Sequence, residues 1–546
     1  MRNLVRRDHA DRGRARIRPH LQRNPGKLHV PLTTGLLPDP SPSLETNMRV
    51  PDMEKRPDVL LVYPPVMLEF QPTDPPFGCL YLAAVLRKAG IRVDILDLNA
   101  LRWDEDEVHL FFRQHAPPIV AFSGMTTVYY YIKRLAAFIR EQSPDTKLIG
   151  GGSFATPCPE DVLKNTVLDA VGIGEGEDTI VPFVTALLTG TPLETVTGIA
   201  YKAEDGTVRR TGNRHRIGEL DNLPLPAYDL VDMDLYTRNT GKRPALARLA
   251  KRMGIPLEVI SNYFIMFTER GCPFTCTFCY RNYGRQTSRH SVDYVINHIK
   301  YARDTFGVNN IAFYDETFNT NKKWVLEFCK RVAEELPDCF FWVGGARADR
   351  LDDSIMEAFK SANFYEVSIG VESFDDRILT EMQKGFDAAT LIGALEQLQR
   401  HDLAPSVLAM LYGFPGDDEE SLAVNEAWLR RLNIPAYFQF PLPFPGTGLY
   451  DDLLRKGRIG DVDAYMERLG DHMTQNLFMN LSRFPDDQLI VMVRGLEKRH
   501  AAHIASLSPD GASRWGWGHL TERAGLSRLF STIRQGLTGN ASHRPS

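Results

Sequence analysis

Cys272, Cys276 and Cys279 fall on one short run, Glu269-Arg270-Gly271-Cys272-Pro273-Phe274-Thr275-Cys276-Thr277-Phe278-Cys279-Tyr280. Glycine and proline punctuate the run, so it reads as a loop and not as a core segment. Spacings of four and three residues bring three thiolates within reach of one compact inorganic centre. A 4Fe–4S cubane suits them: three thiolates fill three corners, and the fourth iron is left without a protein ligand and open to substrate. Zinc is the alternative. A structural zinc takes four ligands and a catalytic zinc three plus water, and His290 is the nearest further donor in sequence. The other four cysteines, Cys79, Cys158, Cys329 and Cys339, are irregularly spaced, and the odd total of seven does not form a disulfide framework. Cys329 and Cys339 read as buried thiols on a helix and its exit. Cysteine usage of this kind points to a reducing, cytoplasmic setting.

The elements around the loop have the alternation of an α/β fold. Strand signals at 264–267, 310–314, 340–344, 366–370, 406–411 and 437–440 are separated by helical segments at 292–305, 322–335, 353–362, 375–382 and 388–401. About six βα units in series predict a full or partial parallel barrel over 261–460, with the cysteines on its first βα loop at the catalytic face. Asp315 and Glu316, Arg347, Glu372 and Gly413 stand at or just after the ends of later strands. A guanidinium such as that of Arg347 suits a carboxylate. For any one of these charges a solvated or ion-paired structural role competes; their common placement is what groups them.

A second alternating pattern precedes the barrel. Strands at 59–63, 91–96, 119–122, 147–149 and 170–173, with helices at 78–89 and 129–142, predict a Rossmann-like doubly wound sheet within 57–205. Its strands run into Pro64-Pro65, Ser123-Gly124, Gly150-Gly151-Gly152 and Gly174-Glu175-Gly176-Glu177. Ligands of such sheets lie beyond the carboxyl ends of the strands. Glycine there admits close backbone approach to a large ligand, although plain turns would also use it. Residues 206–260 read as a proline-punctuated connector. Residues 461–546 read as a helical region and tail, with Tyr465, His472, Met473, Arg483 and Trp515 as a possible cover over the barrel mouth.

The hydrophobic fraction of 43%, the charged fraction of 24% and the net charge of −5 belong to a soluble globular protein and exclude a nucleic-acid partner held by bulk charge. No apolar run approaches the roughly 18 residues of a membrane span. Residues 1–56 are rich in Arg and Pro and read as a disordered basic arm without a secretory signal. Met48 and Met53, just before the first strand signal, read as candidate translation starts.

The C-x3-C-x2-C spacing followed by the aromatic Tyr280 resembles the signature of the radical S-adenosylmethionine superfamily. The upstream sheet resembles the cobalamin-binding subfamily of those enzymes, through Tyr63-Pro64-Pro65, Ser123-Gly124, Gly150-Gly151-Gly152 with Ala155-Thr156, and Gly174-Glu175-Gly176-Glu177. Asp221-Asn222-Leu223-Pro224 and Phe444-Pro445-Gly446-Thr447-Gly448-Leu449-Tyr450 extend the resemblance, which covers roughly 58–460. It implies that the open iron chelates S-adenosylmethionine. One electron, from a donor such as flavodoxin or ferredoxin, then releases a 5′-deoxyadenosyl radical. It places Tyr280, Asp315, Glu316, Arg347, Glu372 and Gly413 around the cluster and S-adenosylmethionine. It places Pro64, Ser123, Gly151, Gly152, Gly174 and Glu175 around cobalamin. Two departures stand out: no D-x-H-x-x-G motif supplies a histidine to cobalt, and Ser153-Phe154 follow the triple glycine where relatives commonly carry histidine.

The activity so implied is methylation of an unactivated carbon or phosphorus centre in a small molecule. Oxidative ring closure of the magnesium-protoporphyrin monomethyl ester cyclase type is the runner-up. A non-catalytic cobalamin sensor is the rival from another class, and a three-thiolate loop with an open iron speaks against it. A methylthiotransferase would carry a second, amino-terminal three-cysteine cluster, and only Cys79 and Cys158 lie upstream.

Overall fold

The structure, a computed structural model, describes residues 48–66, 72–212, 216–238, 251, 262–470 and 474–507. Residues 1–47 of the basic arm, His472, Met473 and Trp515 lie outside the described residues. Residues 48–56, read as part of that arm, are placed. Arg49 pairs with Asp94 at 2.8 Å and donates to the Leu230 carbonyl at 2.8 Å. The Asp94 carboxylate is buried, and a buried charge needs a partner.

The first sheet holds β1 (Val59–Tyr63), β2 (Val93–Asp97), β3 (Ile119–Ser123), β4 (Lys147–Gly151), β5 (Ala170–Gly172), β6 (Ile199–Lys202) and β7 (Val208–Arg210). Their order is β2-β1-β3-β4-β5-β6-β7, with β1 to β5 parallel. The parallel strands are Val/Ile/Leu-rich because helices cover both faces. The order reverses between β1 and β3, where such sheets open a crevice for ligand. β6 adds antiparallel to β5 and β7 antiparallel to β6, with only β7 in the stretch read as the start of the connector. Asp205 closes the turn between them by accepting from the Thr207 amide at 2.9 Å and hydroxyl at 2.6 Å. The sequence signal was weak because β7 is only three residues long and mostly exposed.

The second unit begins with β8 (Tyr263–Met266), then the short antiparallel pair β9 (Glu269–Arg270) and β10 (Ser288–Arg289) that brackets the cysteine loop. β11 (Asn310–Phe313), β12 (Phe340–Ala346), β13 (Phe364–Ile369) and β14 (Ala404–Pro405) complete a parallel sheet in the order β14-β13-β12-β11-β8. β15 (Leu408–Leu411) and β16 (Ala436–Gln439) pair with each other and join the rest through a bridge from Glu372 to Met410. The result is a partial barrel. Ser291, Asn321, Asp352, Asp387 and Asp418 each cap the helix that follows, accepting an amide of its first turn. Helices Gly448–Arg455, Val462–Leu469 and Asp486–Ser506 follow. Among the described residues no helix is long and apolar enough to cross a membrane.

One apolar core runs through both sheets, from Val59, Ile95 and Ala121 to Phe264, Phe313 and Val367. The described part of the connector carries it across. Tyr228 packs on Phe264 with centroids 5.4 Å apart, and the Tyr236 hydroxyl donates to buried Asp97 at 2.5 Å. Asp221 binds His290 Nδ1 at 2.9 Å and the Ser291 amide at 3.1 Å, which ties the Asp221-Asn222-Leu223-Pro224 stretch to the first barrel helix.

Burial beside Tyr228 lowers the pKa of His298 from 6.5 to about 3, and burial lowers that of His290 to about 4. Between these values and 6.5 the unfolded chain binds more protons than the folded one. Stability present at pH 7 is therefore lost as pH falls through that window. The expected slope is about 1.4 kcal/mol per pH unit for each histidine. His298→Gln should flatten the acid limb of the stability curve between pH 6.5 and 4, as read by urea unfolding at a series of pH values.

Candidate active site

The cysteine loop is pinned from several directions. Gly271 has φ +89°, and a Cβ there would lie 2.0 Å from the Gln286 carbonyl oxygen, so β9 can turn into the loop only at glycine. The Cys272 amide donates to the Gly284 carbonyl at 3.1 Å, and Cys272 Sγ lies 3.4 Å from Thr317 Oγ1 past the end of β11. The Thr277 amide donates to the Met382 carbonyl at 3.0 Å, and the Leu449 amide to the Thr277 carbonyl at 2.8 Å. Arg281 donates to the carbonyls of Phe274 and Cys276. Cys272 and Cys276 are half-buried and Cys279 is exposed. Among the described residues no three His, Cys, Asp or Glu side chains converge on a single-ion position. Ligands of a cubane bind separate irons and need not converge. His290, the fourth donor a zinc site would want, is buried, bonded to Asp221 and stacked on Tyr294 at 3.9 Å.

The charged groups at the strand ends divide sharply. Asp315 is committed to the fold: its carboxylate accepts from the Thr268 amide and hydroxyl, both at 2.6 Å, and from the Glu269 amide at 2.9 Å, tying β11 to the exit of β8. Glu316, the next residue, has both carboxylate oxygens buried without a hydrogen-bond partner. Burial raises its pKa to about 6; the amides of Asn282 and Tyr283 lie near enough to offset this in part without closing a hydrogen bond of good geometry. Arg347 is spent. It donates to Asp349 at 2.7 Å and to the Lys384 carbonyl at 2.7 Å, and its guanidinium stacks 3.5 Å from the Phe274 ring centroid. Glu372 sits in the left-handed region at φ +58° and accepts from Lys384 Nζ at 2.6 Å. Lys384 had drawn no notice in the sequence, because it belongs to a turn and not to a strand end. Gly413, at φ +95°, donates to buried Asp417 at 2.8 Å and is backed by Leu489 of the last helix. A smaller cavity of about 130 Å³ opens beside Glu372, Phe278, Met410 and Gln439.

At the carboxyl ends of β1, β3, β4 and β5 lies a cavity of about 260 Å³. Leu61, Ile149, Ile180 and Phe183 give it apolar walls, and Ser123, Gly151, Gly152, Gly174 and Glu175 also line it. Pro64 is buried behind the wall and lies against Gly124. The glycines do different jobs. A Cβ on Gly152, at φ +96°, would come within 2.7 Å of the Gly124 carbonyl oxygen, and one on Gly150 within 2.7 Å of Phe154. Those two serve the fold. A Cβ on Gly151 would meet only the Gly172 carbonyl oxygen at 3.9 Å, and one on Gly174 would meet nothing within 4 Å. Neighbours leave open space at both, although the φ of +78° at Gly174 itself favours glycine. Tyr280, Asn282 and Tyr283, which follow Cys279 directly, form part of the same wall. Of these three, the sequence pointed only to Tyr280.

The B12 binding domain family matches residues 64–184, and the radical SAM superfamily matches residues 265–425. An uncharacterized methyltransferase of Pyrococcus horikoshii is 30% identical over 444 residues, covering 80% of this chain and 90% of the relative. The chain belongs to the B12-binding radical SAM proteins. The cytidylyl-2-hydroxyethylphosphonate methyltransferase of Streptomyces wedmorensis is 27% identical, over 71% of this chain and 79% of that one. The anaerobic magnesium-protoporphyrin IX monomethyl ester cyclase of Synechocystis is 26% identical, over 60% and 63%. In fold the chain is similar to the radical S-adenosylmethionine methyltransferase TsrM from Kitasatospora setae, with a TM-score of 0.59 at 17% identity over 73% of this chain and 76% of the other.

Cobalamin, a 4Fe–4S cluster and S-adenosylmethionine are the cofactors of this B12-binding radical SAM protein. Its residues fit them: three thiols pinned on one loop, an unpartnered buried carboxylate beside it, and a glycine-walled crevice at the switch point of the first sheet. Glu175 lines that crevice and also binds the loop. It accepts from Arg270 Nη1 at 3.1 Å and from the Ile217 amide at 2.9 Å, while Glu177 accepts from Arg270 Nη2 at 2.6 Å. Arg270 lies two residues before Cys272, so these carboxylates clasp the cysteine loop to the first sheet.

Gly151→Val is expected to weaken hydroxocobalamin binding at least tenfold in equilibrium dialysis while leaving the melting temperature near that of the native chain. Gly152→Ala should lower the melting temperature instead, because its Cβ would strike backbone at a positive φ.

Proposed function

We propose that this chain is a cobalamin-dependent radical SAM methyltransferase acting on an unactivated carbon or phosphorus centre of a small molecule. The observation that carries the reading is the shared wall: Tyr280, Asn282 and Tyr283 run straight from Cys279 into the cavity of the first sheet. A substrate held at this seam faces both cofactor sites with no intervening domain. The similarity to methyltransferases across 90% and 79% of their lengths supports methyl transfer over ring closure; the Synechocystis cyclase is matched over 63% of its own length.

In this reading Cys272, Cys276 and Cys279 hold the cluster. When bound, the cofactors supply reductive cleavage of a carbon–sulfur bond and a transferable methyl group. The protein's own groups do the positioning. Glu316 offers a buried carboxylate to a donor N–H or ammonium on an incoming ligand, and at about pH 6 it passes from neutral to charged. Lys384 fixes the Glu372 side chain, so Glu372 presents one defined face to the cysteine loop. Phe278, Leu411, Phe414 and Leu449 pack together beside the loop and keep water from that flank. Gly151 and Gly174 leave room for the corrinoid.

The test is anaerobic reconstitution with iron, sulfide and hydroxocobalamin, followed by turnover with S-adenosylmethionine and candidate substrates. About four irons and one corrinoid per chain are expected, with iron lost when all three loop cysteines become alanine. Methyl transfer predicts S-adenosylhomocysteine and 5′-deoxyadenosine together with a methylated product. 5′-Deoxyadenosine with an oxidised, ring-closed product and no S-adenosylhomocysteine would replace this reading by the cyclase one.

A further inference from the structure

The turn that follows helix Asp376–Glu381 is built with unusual care for a segment outside the barrel strands. Gln383 and Gly385 both take the left-handed conformation, at φ 54° and 78°. The Lys384 amide donates to the Leu379 carbonyl at 3.0 Å, and Arg347 donates to the Lys384 carbonyl at 2.7 Å. Two residues earlier, the Met382 carbonyl receives the Thr277 amide of the cysteine loop at 3.0 Å. The turn and the cysteine loop are thus one hydrogen-bonded body. Lys384 itself is 7% exposed, and its ammonium donates to Glu372 at 2.6 Å and to the Gly370 carbonyl at 3.1 Å. Through that bond to Thr277 the turn lies next to Cys276, where burial raises the thiol pKa, Lys384 and Arg347 oppose the rise and Glu372 adds to it. Arg347, the cation the sequence suggested for this site, is held by Asp349 and spends another donor on orienting the turn.

We propose that Lys384 is a positioning residue of the iron–sulfur site: its ammonium, aimed by Glu372 and by the turn, places a fixed positive charge beside Cys276 and so sets how readily the cluster takes up its electron. The physical ground is that net charge and hydrogen bonding around the sulfurs tune the potential of such clusters. A cation in a poorly solvated setting acts on them with little screening. Glu372 has the opposite sign and works against Lys384, so the two side chains form an antagonistic pair. The inference rests on the reading that Cys272, Cys276 and Cys279 carry the cluster.

The experiment is an EPR-monitored redox titration of the reconstituted full chain and of Lys384→Met, Lys384→Arg and Glu372→Gln, each checked for iron content. Lys384→Met should move the midpoint to more negative potential, Lys384→Arg should restore it, and Glu372→Gln should move it to more positive potential. A purely structural role would lower cluster occupancy without this reversal of sign. If Lys384→Met fails to hold its cluster, Glu372→Gln decides: a positive shift supports the inference, and no shift or a negative one overturns it. A native cluster whose potential ignores both substitutions overturns this inference alone. A native chain that binds no cluster removes both the inference and the reading beneath it.

Discussion

Arg270 is the point at which the two halves of this protein meet as chemistry. Its guanidinium belongs to the strand that leads into the cysteine loop, and the two carboxylates it binds belong to the strand-to-helix turn of the first sheet. It lies over the rings of Tyr81, on the helix Phe77–Lys88, and of Tyr283 in the loop, at 5.2 and 4.8 Å from their centroids. Burial works against the charge on Arg270, but Glu177, Tyr283 and Tyr81 together outweigh it and raise the pKa of the guanidinium. Removing one partner of such a group leaves a buried charge unpaired, at a cost of about 3–5 kcal/mol. The clasp holds the loop against the first sheet, and with it the cavity wall made by Tyr280, Asn282 and Tyr283.

The clasp works because other contacts converge on it. Arg216 donates to Glu175 and to the Arg270 carbonyl, and Ser288 donates to the Ile217 carbonyl at 2.7 Å. On the far side of the loop, Gly446 has φ +87°, and a Cβ there would lie 3.0 Å from both Pro157 of the first sheet's unit and Tyr280. The Phe444–Tyr450 stretch therefore closes the seam from the carboxy-terminal side. Beyond it, Asp463 of a late helix takes a hydrogen bond from Tyr129 at 2.5 Å and an ion pair from Lys133 at 2.7 Å. The chain returns to its first domain after completing its second, and Met466 of the same helix joins an apolar cluster of that first domain.

Neighbouring residues of one chemical type have opposite uses here. Asp315 accepts three hydrogen bonds from the exit of β8, while Glu316 has both oxygens buried without a hydrogen-bond partner. Gly152 and Gly151 divide in the same way between backbone packing and open space. Both pairs stand where a strand gives way to a bend, at Glu316 and at Gly152 with its φ of +96°, so neighbouring residues part in direction there.

The sequence by itself determined the periodic elements and the chemistry of the loop. Buried parallel strands must be short apolar runs, and three thiolates at fixed spacing on a Gly/Pro loop have few inorganic partners, so both could be read from local pattern. It also placed Asp315, Glu316, Arg347 and Glu372 at strand ends. It could not assign their partners, because a hydrogen bond from Thr268 to Asp315 or from Lys384 to Glu372 joins residues brought together only by folding. The same holds for Glu175, whose glycine-rich setting suggested a ligand and whose carboxylate is given to a guanidinium 95 residues away. Lys384 and Asn282 carried no local signal at all. Tertiary structure alone decided which polar groups are spent on the fold and which face the cavities, since that depends on long-range pairing and burial that no window of sequence contains.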